Sequence, residues 1–138
     1  MFVVVSRLNW HRKSRNSDIY KKYPIIELSN PDLVEYNYFQ KLGAKKIFFL
    51  HWSDYIKPKI FENFECIGFH TSQLPLDRGG SPIQNQILKG IDITDVCAIR
   101  ITKKLDEGPI YLRKKVCLLG SLNEIFMRIG FNVNEMIE

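Results

Sequence analysis

Long hydrophobic runs are missing from this sequence of 138 residues. A membrane-spanning helix needs about 20 consecutive apolar residues, and the apolar runs here are far shorter. The first of them, residues 2–5, is followed by Ser6 and Arg7. A signal peptide would instead continue into a hydrophobic region with a small-residue cleavage site. We therefore expect neither a membrane span nor a signal peptide.

Cysteine is scarce as well, with three residues in the whole sequence. Cys66, Cys97 and Cys117 are widely spaced within strand-like apolar runs, and their spacing matches no metal-ligand pattern. An odd number of such thiols is typical of reduced core cysteines in a cytosolic protein. We predict a cytoplasmic protein without a bound metal.

No long block of one charge sign is present either. The net charge of +5 is scattered in short clusters such as Lys21-Lys22 and Lys103-Lys104. A solvated surface explains this pattern, and attraction of an anionic ligand is the alternative. The aromatic residues lie inside apolar runs and do not alternate with basic residues as on a base-stacking platform. Nucleic acid is therefore disfavoured as a partner.

What the sequence does contain is a regular alternation of apolar runs and helical patterns. Residues 6–16 are polar and predict a loop. We predict strands at residues 2–5, 25–28, 46–50, 96–102 and 110–118 with another ending at His70, and helices at 18–23, 33–42, 59–64, 81–89 and 122–136. Strands alternating with helices, followed by a late strand pair, indicate one α/β domain over residues 1–138 with a mostly parallel sheet.

Residues 66–84 hold the main concentration of polar and glycine residues that could form a site. An apolar run leads to His70, a polar turn and a glycine-rich loop follow, and Ser81-Pro82 opens a helical pattern. Serine as N-cap before proline is a common helix start. In an open α/β sheet this order places the turn at the carboxyl edge of the strand, where ligands bind. His70 is expected at that edge.

His70 and Asp106 stand 36 residues apart, each at the end of a strand-like run. A histidine beside a carboxylate can act as a general base, because the imidazole takes a proton near neutral pH and the carboxylate stabilises the resulting cation. From these two residues alone, a plain core or surface histidine stays open as the alternative.

Three motifs resemble the folate-dependent formyltransferase family. They are Phe-His-Thr-Ser-Gln-Leu-Pro at 69–75, Arg-Gly-Gly-Ser-Pro-Ile-Gln at 78–84 and Leu-Asp-Glu-Gly-Pro-Ile at 105–110. Their order fits the family signature, and the His-to-Asp interval matches the family's. The resemblance covers about residues 45–136 and, more loosely, the first strand.

The resemblance implies a single Rossmann-like domain that transfers a formyl group from 10-formyltetrahydrofolate to an amine. His70 would be the base and Asp106 its partner. The folate would lie against His51, Trp52, Ser53, Ile56 and Leu105, and the acceptor against Ser72, Arg78, Gly79 and Gly80. The motif wording is similar to sugar N-formyltransferases, so the expected acceptor is a small amino sugar. Methionyl-tRNA formyltransferases carry an added C-terminal domain, whereas this sequence ends in its last helix; a C-terminal truncation and a homodimer both stay open.

One position departs from the family pattern. The family's asparagine two residues before the histidine is Gly68 here, and its proline after the histidine is Thr71. An asparagine amide can donate to an oxyanion, which glycine cannot. We predict that Thr71, Ser72 or a backbone N–H supplies the missing donor. A non-catalytic family member that binds folate or sugar is the alternative.

Two further assignments keep a structural alternative. His51 and Trp52 could form a wall for the pteridine or simply pack against the core. The Arg78-Gly79-Gly80 loop could be a backbone nest that holds an anion or a tight turn leading into the helix.

Overall fold

A single six-stranded sheet forms the centre of the chain in a computed structural model that describes residues 1–9 and 19–138. Residues 10–16 of the predicted loop and the predicted helix start at Asp18 lie outside the described residues. The strands are β1 (Phe2–Ser6), β2 (Ile25–Leu28), β3 (Lys46–Leu50), β4 (Glu65–Thr71), β5 (Ile93–Arg100) and β6 (Ile110–Cys117).

Helices connect the strands of the sheet and cover its two faces. They are α1 (Ile19–Lys22), α2 (Tyr36–Lys41), α3 (Pro58–Phe61), α4 (Pro82–Leu88) and α5 (Leu122–Ile137), with a 3₁₀ turn at Pro31–Leu33. At the start of α5, the Ser121 hydroxyl accepts the Glu124 N–H and so caps the first turn of the helix. No helix within the described ranges is long and apolar enough to cross a membrane.

The strand order is β2-β1-β3-β4-β5-β6. The first four strands in this order pair in parallel, and β5 and β6 add to β4 as an antiparallel pair. This confirms the predicted α/β fold with a mostly parallel sheet and a late strand pair. The β5–β6 register shifts by one residue between Ala98 and Ile99, and β6 is the outer strand on that side.

Successive side chains along each strand point to opposite faces of the sheet, which divides the core into two clusters. Val4, Phe48 and Ile67 pack on the face covered by α4 and α5, whereas Val5 and Cys66 pack on the face covered by α2 and α3. Both faces are apolar, so the strands appear in the sequence as continuous apolar runs, as expected for parallel strands buried on both sides. Successive residues on β4 therefore face opposite clusters.

Two predicted helix starts differ from the structure. The helix predicted at 33–42 is divided, because Glu35 is extended with φ −131° and separates the 3₁₀ turn from α2. The predicted N-cap Ser81 makes no side-chain capping bond; it has left-handed backbone angles, with φ 53°. Ser81 thus turns the chain from the glycine-rich loop into α4 through its backbone conformation.

Gln86 links the helix after the loop to the sheet. It is 1% exposed, and its side-chain amide donates to the carbonyl oxygens of Thr71 and Pro82 and accepts from the Thr94 hydroxyl. Both ends of the amide are satisfied, so the end of β4, helix α4 and the start of β5 are held together by one side chain. This contact fixes where β4 ends and therefore where His70 lies.

We expect Gln86→Leu to lower the free energy of unfolding by about 2–4 kcal/mol, because it leaves the buried Thr71 carbonyl and Thr94 hydroxyl without a partner. Denaturant unfolding followed by circular dichroism measures the change. Gln84→Leu is the matched control, since Gln84 is exposed on the same helix. Equal stability of the two variants would contradict a structural role for Gln86.

Candidate functional site

His70 lies near the carboxyl end of β4, where the sequence places it, and is almost completely buried. Its Nδ1 lies 3.5 Å from Oδ2 of Asp106. Its Nε2 lies 2.7 Å from the carbonyl oxygen of Asp77. The structure therefore brings His70 and Asp106 together, and it adds a backbone carbonyl from the loop that follows β4. Both ring nitrogens face an acceptor.

Asp106 is held in place by the glycine-rich loop. Its side chain is 14% exposed, and its Oδ2 accepts the backbone N–H of Gly79 at 2.9 Å. Gly79 has φ +90°, and a β-carbon added there would meet nothing within 4 Å. Glycine is thus needed at position 79 for its backbone angle. Because this N–H is bonded to Asp106, the loop acts as a turn that orients the carboxylate.

Two ion pairs connect the same loop to its surroundings. Arg78 Nη1 lies 3.1 Å from Oε1 of Glu107, and Lys89 Nζ lies 2.5 Å from Oδ1 of Asp77. The first pair joins the loop to the β5–β6 connection, and the second joins it to the end of α4. Arg78 is exposed, and Gly80, two residues later, is open to solvent.

The Ser72 hydroxyl is bonded within the turn after β4. Ser72 is fully buried, and its hydroxyl donates to the carbonyl oxygen of Leu76 at 2.7 Å. Thr71 is the residue after His70 on β4, so its side chain lies on the opposite face of the sheet. These contacts give no support to either hydroxyl as the replacement for the family's asparagine donor, and a backbone N–H stays a prediction.

Trp52 and Ile56 lie together beyond the end of β3. Both are partly buried and pack against the same cluster as Ile101. The Arg7 guanidinium carbon lies 5.3 Å from the centre of the Trp52 ring, and Arg7 also forms an ion pair with Asp54. Among the residues that the structure describes, the buried Trp52 Nε1 has no hydrogen-bond partner.

The other residues predicted to contact folate are placed differently. His51 follows β3 directly with a left-handed φ of 51°, a rare conformation for a non-glycine residue. Ser53 is exposed, and Leu105 is 72% exposed. The structure thus packs Trp52 and Ile56 against the core and leaves Ser53 and Leu105 exposed.

The three cysteines are free thiols, as predicted. Burial raises the pKa of the Cys66 thiol to about 12, so this thiol stays protonated and unreactive at neutral pH. Within the described parts of the chain, no group of three or more histidine, cysteine or acidic side chains could hold a metal ion.

Comparison with known proteins finds relatives along most of the chain. No family model matches. The methionyl-tRNA formyltransferase of Mycoplasmopsis pulmonis is 33% identical over 111 residues, which are 76% of this chain and 38% of that protein. The structure of methionyl-tRNA formyltransferase from Clostridium thermocellum matches with a TM-score of 0.91 and 34% identity, covering 99% of this chain and 62% of that one. The chain belongs to the folate-dependent formyltransferase family.

A more distant structure shares the fold of this family. HypX from Aquifex aeolicus, in complex with tetrahydrofolic acid, matches with a TM-score of 0.78 and 14% identity over 99% of this chain and 26% of that one. The chain spans less than two thirds of the length of each of these three proteins.

Gly68 stands where the formyltransferase family pattern has asparagine, and the Ile101 side chain lies next to it. Gly68 lies on the same face of β4 as His70. A β-carbon added at Gly68 would lie 3.3 Å from Cγ1 and 3.4 Å from Cδ1 of Ile101. Ile101 thus fills the space into which a side chain at position 68 would extend, and the two positions are sterically complementary.

We expect Gly68→Asn alone to lower the free energy of unfolding by about 1–3 kcal/mol, because it overpacks this contact. Ile101→Ala removes both crowding atoms, so the double variant should lose less stability than the sum of the single variants. A coupling energy of about 0.5 kcal/mol or more in a double-mutant cycle measures this complementarity. Additive single effects would show that position 68 is not limited by Ile101.

Several contacts of the site have no sequence signal. Ile101 beside Gly68 and the Arg78–Glu107 pair join residues that are far apart in the sequence. The Asp77 carbonyl at His70 follows no local pattern. Gln86 does have one: it is a polar residue three positions after Ile83, on the buried side of α4. A glutamine at a core-facing helical position requires buried partners, and that reasoning could have found it.

Proposed function

We propose that the chain transfers a formyl group from a folate donor to a primary amine, with His70 as the base and Asp106 as its charged partner. The observation that carries the proposal is the His70–Asp106 contact, with Nδ1 and Oδ2 3.5 Å apart in a buried position beside a loop that holds both. An amine that attacks a formyl carbon must lose a proton, and a histidine paired with a carboxylate is suited to take it.

The residues near the end of β3 fit a flat heteroaromatic donor. Trp52 and Ile56 supply a partly buried apolar surface, and the indole N–H of Trp52 is a buried donor without a partner among the described residues. The solved relative bound to tetrahydrofolic acid supports the same donor class. We assign Trp52 and Ile56 to donor binding, with His51 beside them and Ser53 and Leu105 at the exposed margin.

When bound, the donor supplies the formyl carbon, and its carbon–nitrogen bond breaks as the bond to the amine forms. His70 accepts the proton that the amine loses and passes it to the departing donor nitrogen, which leaves as a neutral amine. Asp106 stabilises the imidazolium, because opposite charges attract strongly in a buried site. Gly79 N–H fixes the carboxylate toward the ring. Arg78 and Gly80 lie at the exposed side of this loop, where we place acceptor contacts, while Ser72 serves the turn.

The acceptor is proposed to be a small amino sugar, on the wording of the Arg-Gly-Gly-Ser-Pro-Ile-Gln and Leu-Asp-Glu-Gly-Pro-Ile motifs. Methionyl-tRNA is the second candidate, because the relatives at 33% and 34% identity are named as methionyl-tRNA formyltransferases. The two acceptors share a primary amine, so the chemistry at His70 is the same for both.

The test is a transfer assay with 10-formyltetrahydrofolate and each acceptor class, read by the mass gain of one formyl group on the acceptor. We expect transfer to an amino sugar. Transfer to methionyl-tRNA alone would show that the proposed acceptor is wrong and that the proposed reaction is right. Folate binding without transfer to either amine would identify a non-catalytic family member and contradict the proposed function.

A further inference from the structure

The two nitrogens of the His70 ring meet different acceptors. Nε2 lies 2.7 Å from the carbonyl oxygen of Asp77. A carbonyl oxygen can only accept a hydrogen bond, so Nε2 must carry a hydrogen and donate it. Nδ1 is therefore the nitrogen with the lone pair when the ring is neutral, and it faces Asp106.

We propose that the Asp77 carbonyl fixes His70 as the Nε2–H tautomer, so that Nδ1, beside Asp106, is the nitrogen that takes up the proton of the amine. This inference rests on the proposed function. In a Ser-His-Asp triad the carboxylate accepts from Nδ1–H, and Nε2 is the base. Here a backbone carbonyl orients the ring, and the carboxylate lies beside the reacting nitrogen.

The distances fit this assignment. The 3.5 Å between Nδ1 and Oδ2 is longer than the roughly 2.7–3.2 Å of an N–H···O hydrogen bond. Nδ1 therefore donates no hydrogen bond to Asp106, as expected for a ring nitrogen that carries a lone pair and no hydrogen. When the amine nitrogen bonds to the formyl carbon, its proton moves to Nδ1. The resulting imidazolium has two N–H groups, and each faces an acceptor, the Asp77 carbonyl and the Asp106 carboxylate.

Other charged or titratable groups around the ring are engaged elsewhere. The Asp77 carboxylate pairs with Lys89, and Arg78 pairs with Glu107. Cys97 is opposite His70 on β5, and its thiol donates to the Ser72 carbonyl. Burial raises the pKa of the Cys97 thiol, so it stays neutral. Asp106 is thus the charged group that faces Nδ1 in the described part of the chain.

Nitrogen-15 NMR of the wild-type protein labelled at histidine tests the assignment directly. The His70 signals are identified by their absence in His70→Asn. In the neutral ring, we expect Nδ1 to give the signal of an unprotonated nitrogen and Nε2 that of a protonated one, as distinguished by their different couplings to the ring hydrogens. Loss of the proton from Nε2 would overturn the proposal.

Two variants separate the carbonyl from the carboxylates. In Asp106→Ala the Nε2–H tautomer should persist, because the Asp77 carbonyl remains; a switch to Nδ1–H would show that Asp106 orients the ring. Asp77→Asn is the matched control, since it keeps the carbonyl and a residue that tolerates positive φ while removing the charge. The Nε2–H tautomer should persist in this variant too. A change to the Nδ1–H tautomer would show that the Asp77 carboxylate, and not the carbonyl, determines the tautomer.

These measurements need no substrate. Absence of formyl transfer with the expected tautomer would count against the proposed function alone. Formyl transfer with a neutral ring protonated at Nδ1 would count against the tautomer assignment alone.

Discussion

Replacing His70 with asparagine is expected to lower the turnover number for formyl transfer by about 10²- to 10⁴-fold, the usual range for loss of a general base. Asparagine is smaller than histidine, and its amide cannot accept a proton at neutral pH. The donor surface at Trp52 and Ile56 belongs to another segment of the chain. Donor affinity, measured by fluorescence titration, should therefore change little.

Thr71→Val is the matched control for His70→Asn. Thr71 is the next residue on β4 and is similarly buried, but its side chain lies on the opposite face of the sheet. We expect this variant to keep most of its turnover once it is shown to be folded. Wild-type turnover in His70→Asn would show that His70 is not the general base.

Gly108→Ala is expected to have the largest effect on stability, with a loss of about 4 kcal/mol or more. A β-carbon at position 108 would lie 1.8 Å from the carbonyl oxygen of Arg100 and 2.9 Å from its carbonyl carbon. Backbone atoms cannot move aside by a rotamer change, so the β5–β6 connection itself would have to shift. Because Asp106 is part of this connection, its contact with His70 should be lost as well.

Denaturant unfolding of Gly108→Ala tests this expectation, with Gly80→Ala as the matched control. Gly80 is also in a loop near the site, but a β-carbon there would meet nothing within 4 Å. Its replacement should change the unfolding free energy by less than about 1 kcal/mol. Similar stability of the two variants would show that the close approach to Arg100 is not limiting.

The sequence predicts most of the sheet because each early strand is a continuous apolar run. The strand predicted at 25–28 and that at 46–50 coincide with β2 and β3. The predicted helix at 33–42 is wrong in its first part, since its apolar spacing does not reveal the extended backbone at Glu35. Val34, just before the extended residue Glu35, is buried in the core.

The sequence motifs single out the residues of the candidate site but not their contacts. The motifs identify His70, Asp106 and the Arg78-Gly79-Gly80 loop, and the structure brings them together. The Ser72 hydroxyl, the Asp77 carbonyl and Ile101 illustrate what the sequence could not provide. A hydroxyl can serve a turn or a ligand, any residue has a carbonyl, and an isoleucine has many possible neighbours. Only the three-dimensional path of the chain decides among these.

The shape and charge of β6 also affect how the molecule behaves at high concentration. An outer strand exposes unpaired N–H and C=O groups that can template the strand of another molecule. In β6 the register shift opposite Ala98–Ile99 interrupts the ladder, and Arg113, Lys114 and Lys115 follow within the same strand. Asp95 and Glu135 pair with these three cations and leave a small net positive charge, so this irregular edge repels an identical edge. The strand that completes the sheet therefore also protects the protein against edge-to-edge aggregation.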